Sequence, residues 1–172
     1  SGHTNLIGLT ELYDFDRCSG LLSNPVTIEP EALPSVPYTW SCEFSPDASK
    51  LYVTTADDTT YLFQYDLNAS NISQSKNTLW TTNYPLYTGG GLKLAPDNKI
   101  YFSTFYDFGF PGYPYPDTAY NPFNSNLSVI NFPDSAGMAC GFVPHGFSLG
   151  GYRAYYGLPN NPKYDLGPLV GS

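Results

Sequence analysis

Apolar residues along this chain come in short stretches, some alternating with polar positions and some wholly apolar, and turn-forming residues bound nearly every one. That is the pattern of β-strands rather than helices. Trp40 to Asp47 (WSCEFSPD) predicts a first strand ending in a Pro-Asp turn, Lys50 to Thr55 (KLYVTT) a second, Tyr61 to Leu67 (YLFQYDL) a third and Asn77 to Thr82 (NTLWTT) a fourth. The same order returns in Gly89 to Asp97, Lys99 to Phe105, Leu127 to Phe132 and Gly137 to Pro144. Pro46 and Pro96 stand 50 positions apart, whereas Leu62 and Leu127, aligned in the third strands, stand 65 apart. The difference is an insertion of about fifteen residues between the second and third strands of the later unit.

A repeat near fifty residues is the sequence sign of one β-propeller blade. The expected fold is therefore all-β and β-propeller-like, built of four-stranded antiparallel blades, with about two and a half present. Residues 1–36 read as a half blade, in which Leu9 to Asp16, the turn RCSG and Leu21 to Ile28 supply a third and fourth strand. Residues 37–84 read as a blade, 85–146 as a blade carrying the insertion 106–123, and 147–172 as the start of the next blade or a C-terminal closure, with Phe147 to Asn160 as its opening strand. In each Pro-Asp turn Pro presets φ and Asp caps the backbone just beyond it, so the strand reverses at a fixed place. Alternation then puts Leu51 and Ile100 on one face and Tyr52 and Tyr101 on the other, both faces being core in a stack of blades. The repeat encodes scaffold. Because propellers close with about four to eight blades, the chain is expected to be an excerpt of a longer one or to complete its sheets with other chains.

Composition changes this picture little and narrows the partners. Of 172 residues 41 % are hydrophobic and 17 % aromatic against 13 % charged, the balance of a folded chain. Sixteen Gly and sixteen Pro leave little room for a long helix. A net charge of −8 argues against a nucleic acid or an anionic membrane surface as partner. No run approaches the ~20 apolar residues of a membrane-spanning helix. The opening SGHTNLIGLT has no signal-peptide character, so any export signal is expected to lie upstream or to have been removed.

Candidate chemistry is sparse. Cys18, Cys42 and Cys140 are widely spaced without a C-x-x-C pair, which argues against zinc. With Cys18 opening an outermost strand, Cys42 on an innermost strand and Cys140 on the outer strand two blades away, the separations exceed the ~7 Å that a disulfide allows, so no intrachain bridge is expected. His3 and His145 are the two histidines, and no G-x-S-x-G elbow accompanies them. His145, in VPHGF, reads as a polar residue at a strand edge. Asp14 and Asp16, two apart on a strand, could contribute to a Ca²⁺ site, but without a dense carboxylate loop turn capping is the better reading. A lactonase-like enzyme would draw its acids from several converging blades. No catalytic residue, metal or cofactor is therefore expected.

The insertion is the most distinctive segment. Tyr106, Phe108, Phe110, Tyr113, Tyr115, Tyr120 and Phe123 stand among prolines that stiffen the loop. Aromatic faces there could stack on sugar rings or Pro-rich peptide, or could pack over the end of a blade as a lid. Asn68, Asn71 and Asn126 open N-glycosylation sequons.

Taken in order, ELYDFDRCSGLLSNPVTI, CEFSPDASKLYVTT, YLFQYDLNASNI, LKLAPDNKIYFS, LSVINFPDSAG and YYGLPNNPKYDLGPLVGS resemble the WD40-like propeller segment of large surface proteins of Bacteroidota, often secreted by the type IX route. The resemblance spans nearly the whole chain and implies an extracellular, cell-surface location. It also brings in the Asp-Ser/Thr-apolar O-glycosylation pattern of that group, which Thr59, Thr118 and Ser135 resemble. The expected function is a non-enzymatic module for surface adhesion or recognition of a polysaccharide or protein. The alternative is a structural subunit of an extracellular filament or sheath, assembled with further copies of itself.

Overall fold

In a computed structural model, residues 10–29, 39–56, 59–83, 87–106, 122–155 and 157–159 are described, the side chains at 87, 88 and 106 excepted. The protein is all-β and antiparallel. A hairpin of β1 (Thr10–Phe15) and β2 (Leu22–Glu29) comes first. A four-stranded meander follows, β3 (Thr39–Phe44), β4 (Lys50–Thr55), β5 (Thr60–Asp66) and β6 (Asn77–Thr82), paired in chain order. The second meander, again in chain order, is β7 (Tyr87–Leu94), β8 (Ile100–Tyr106), β9 (Asn126–Ile130) and β10 (Phe142–Ser148), with the short helix α1 (Pro122–Ser125) before β9.

The repeated turn explains the repeated strands. The N–H groups of Ser45 and Ala95 donate to the carbonyls of Lys50 and Lys99, both at 2.9 Å, so the earlier turn holds one residue more. Ala48 and Asn98 take φ of +57° and +60° at matching places. Asp47 and Asp97 accept the N–H of Ser49 (2.8 Å) and Lys99 (3.3 Å), the capping role expected of them.

Alternation then assigns the faces. Leu51, Val53, Phe63 and Tyr65 point to the hairpin and bury Ile28 among them. Tyr52, Leu62 and Leu79 point the other way, onto Leu92, Ile100, Phe102 and Ile130 of the second meander. Every residue of β4 is buried because both of its faces are covered. Ile100 therefore plays the part of Leu51 in its own sheet, and Tyr101 that of Tyr52. The hairpin is fastened to the first meander by the Tyr65 hydroxyl, which donates to Glu29, and by Lys76, 2.6 Å from the same carboxylate and 3.9 Å above the Phe63 ring.

Four expectations need correction. Gly137–Cys140 is a 3-10 turn and the fourth strand of the second meander runs Phe142–Ser148, because Gly137 and Gly141 take positive φ and break the extended path. Phe147 and Ser148 belong to that strand, and no new strand opens among described residues 149–159, where Gly150 and Gly151 also turn left-handed. Asp16 lies beyond the end of β1 and caps the turn, accepting the N–H groups of Cys18 (2.8 Å) and Ser19 (3.3 Å), while Asp14 accepts the Asn24 amide at 2.7 Å. The carboxyl of Asp16 is held below its usual range by those donors. All three cysteines are free thiols; Cys18 sits in the hairpin turn and Cys140 on the 3-10 turn rather than on strands.

Candidate functional site

The described residues that gather around a concave surface lie where β3 and β7, the first strands of the two meanders, run side by side. A groove of about 480 Å³ is lined by Trp40, Cys42, Glu43, Lys93 and, from the segment after β10, Gly157 and Leu158. Side chains of β3 hold the edge of β7 here. Ser41 Oγ accepts the N–H of Leu92 and Glu43 Oε2 that of Leu94, each at 3.0 Å, and Lys93 Nζ lies 3.7 Å from the same carboxylate. Thr54 Oγ1 donates to Gly90 O at 3.0 Å and Gly89 N–H donates to Thr60 Oγ1 at 2.7 Å.

Glycines allow that approach. A Cβ on Gly89 would lie 2.5 Å from the Thr55 carbonyl, and one on Gly91 would lie 3.2 Å from Gly157 Cα and Leu158 N. The run Gly89-Gly90-Gly91 thus lets β7 close against β4 and β5 on one side and against the tail on the other.

β3 inverts the usual rule. Its apolar residues Trp40, Cys42 and Phe44 are the exposed ones, and Ser41 and Glu43 turn inward because they hydrogen-bond β7. Trp40 is left 46 % exposed at a bulge, tilted against Phe105 at 5.7 Å, and Phe44 is 42 % exposed. An exposed indole beside a carboxylate, an ammonium group and strand edges can stack on a flat apolar face and hydrogen-bond the polar rim of the same ligand. Sequence reasoning did not single out Trp40, Glu43 or Lys93. The signal available was the polar-in, apolar-out order of TWSCEF.

The ligand-binding residues expected from the sequence are not brought to this groove by the described structure. Tyr106 closes β8 opposite Tyr87. Its side chain, and Phe108, Phe110, Tyr113, Tyr115, Tyr120 and Thr118, lie outside the described residues. Phe123, the last aromatic of that series, is described and packs ring against ring on His145 at 4.6 Å. Of the modification candidates, Asn68 is exposed and Asn71 is exposed while its Oδ1 caps Gln74 N–H at 3.1 Å. Asn126 commits its amide nitrogen to Pro122 O at 2.9 Å, Thr59 is half-buried at a bend, and half-buried Ser135 has its carbonyl bound by Gln64. Among the described residues no three His, Cys, Asp or Glu side chains gather as a metal site needs, and no helix is long and apolar enough to cross a membrane.

No protein-family model matches the chain, and no curated protein matches its sequence.

Proposed function

We propose that this chain is part of a β-propeller-like extracellular module, non-enzymatic and needing no cofactor, that recognises a polysaccharide or a protein at the groove beside its innermost strands. One observation carries the reading: three successive parts of the chain, β3, β7 and residues 157–158, converge on a single groove, as successive blades converge on an axis. Trp40 supplies the stacking surface, and Glu43 and Lys93 the polar contacts. A cell-surface setting and glycosylation at Asn68 or Asn71 fit this reading, as does the net charge of −8, which favours neither nucleic acid nor an anionic bilayer.

The test is isothermal titration of the protein against soluble surface polysaccharides and candidate partner domains. A ligand that binds wild type should lose about tenfold in affinity with Trp40→Ala, the effect of removing one well-placed aromatic. Hydrolysis of such a ligand, or binding untouched by Trp40→Ala, would overturn the assignment of role or of groove.

A second reading, a subunit of a filament or sheath built from further copies of the chain, is favoured by one feature. The face of the second meander that corresponds to the buried Tyr52 face of the first carries Val143 and Phe147 at 44 % and 46 % exposure, with Phe147 edge-on to Tyr101 at 5.4 Å. Growth of the apparent mass with concentration on size-exclusion chromatography would favour assembly over recognition.

A further inference from the structure

The bulge in β10 holds a residue that the scaffold does not explain. Between Val143, opposite Val129, and Phe147, opposite Leu127, three residues of β10 face one of β9. His145 sits in that bulge at φ +53°, an uncommon conformation for a side chain of this size. Gly146 follows it because a Cβ there would lie 2.7 Å from Val143 Cγ1. His145 N–H donates to Ser128 Oγ at 3.0 Å, which anchors the bulge. His145 does lie on an edge strand, as expected from VPHGF, but its imidazole does not face solvent. It turns inward, 5.8 Å from the Trp80 ring and 4.6 Å from Phe123, and its Nδ1 is buried without a hydrogen-bond partner.

What surrounds the ring matters as much as the ring. The elements packed around it, β6, β8, β9, β10 and α1, carry no Asp, Glu, Lys or Arg. The segment that follows β10 adds Arg153 and no carboxylate among its described residues. A neutral imidazole leaves one unpaired acceptor in this seam. A protonated one would place a charge and an N–H donor there with no acceptor, and the flanking rings can offset only part of that cost. Burial accordingly pushes the imidazole below the ordinary histidine range.

Phe123 ties this ring to the rest of the seam. α1 is held to the sheet by the Thr104 hydroxyl, which donates to Phe123 O. α1 in turn holds the segment after β10, since Leu149 N–H donates to Ser125 O at 3.0 Å and Ala154 N–H to Asn124 O at 2.6 Å. We infer that His145 is a pH-sensitive latch: as the neutral ring it fastens α1, and through α1 the segment 149–154, to the seam between β6 and β10, and on protonation it releases them.

The sign follows from linkage. The open state, with a free imidazole of pKa ~6.5, binds the proton more readily than the closed state, so the latch is fully closed above that pH and weakens as pH falls through and below it. One pH unit below ~6.5, opening should be more favourable than at neutral pH, by at most about tenfold. The experiment is NMR on the whole chain. The His145 ring signal is followed from pH 7.5 to 4.5, and hydrogen exchange of the Leu149 and Ala154 amides, corrected for intrinsic rates, over the same range. Protection of both amides should fall by pH 5.5, by up to about tenfold, while His145→Asn, which tolerates positive φ and does not titrate, should show flat protection. Titration of wild-type His145 at the free value with unchanged protection would overturn the latch, and so would an equal acid loss in the Asn variant. Should that variant fail to fold, the two wild-type curves decide alone: loss of protection must track the titration of the ring.

Discussion

Tyr52 and Tyr101 occupy the same place in the two repeats, and the order of the sheets makes their hydroxyls very unequal. Tyr52 is fully buried where the first meander meets the second; its hydroxyl donates to Pro133 O and accepts from Gln64 Nε2, both at 2.7 Å. Gln64 completes the clasp, donating to Ser135 O at 2.8 Å and accepting Gly137 N–H at 2.7 Å, so that residues 133–137 of one sheet are gripped by the other. Burial also raises the Tyr52 phenol well above its ordinary pKa, so it stays a donor throughout the accessible pH range. The Tyr101 hydroxyl instead bonds Asp97 at 2.9 Å on the open face. Tyr52→Phe leaves a buried carbonyl and an amide N–H without partners, a loss of about 2–3 kcal/mol, or roughly 5–10 °C in Tm for a chain of this length. Tyr101→Phe should stay within about 0.5 kcal/mol. Urea unfolding of both variants, followed by Trp fluorescence, measures the difference as a shift in midpoint at constant m. A double-mutant cycle of Tyr52→Phe with Gln64→Leu should return a coupling of about 1–2 kcal/mol. If Tyr52→Phe costs no more than Tyr101→Phe, or the cycle shows no coupling, the stacking of one meander on the next is wrong as described.

Two more stability predictions follow from the backbone. Ala48 carries φ of +57° where the matching turn has Asn98, so Ala48→Gly should stabilise by roughly 0.5–1 kcal/mol and Asn98→Ala should destabilise by a similar amount in thermal melts; a loss of stability with Ala48→Gly would refute the assignment of the turn. Gly89→Ala places a methyl 2.5 Å from the Thr55 carbonyl and 2.7 Å from Thr60 Cγ2, and should cost about 3 kcal/mol by forcing β7 away from the first meander, whereas a near-neutral result in denaturant unfolding would mean the two sheets do not meet there.

What could be read from the sequence was local. The Pro-Asp turns and the period-two pattern after them place β4 and β8, assign Leu51 and Ile100 to one face, and count the meanders, because each rests on residues adjacent in the chain. The exceptions lie where units meet. In β3 the alternation runs backwards, because Ser41 and Glu43 serve the edge of a strand about fifty residues later. Gln64 looks like a surface polar residue in YLFQYDL and is buried, because its partners lie more than seventy residues on. The sequence places the Gly89–Gly91 run on a strand without a reason for its three glycines, and the reason is that another backbone must come close. His145 breaks two rules at once, a bulky residue at positive φ and a polar ring turned into an apolar seam; its N–H is held by Ser128, but its Nδ1 has no partner among the described residues. A polar residue clasping the next sheet has a structural reason once the contacts are known. A strained one whose buried ring nitrogen has no partner does not, which is why the seam around His145, more than the repeat that defines the fold, is where regulation of this molecule should be sought.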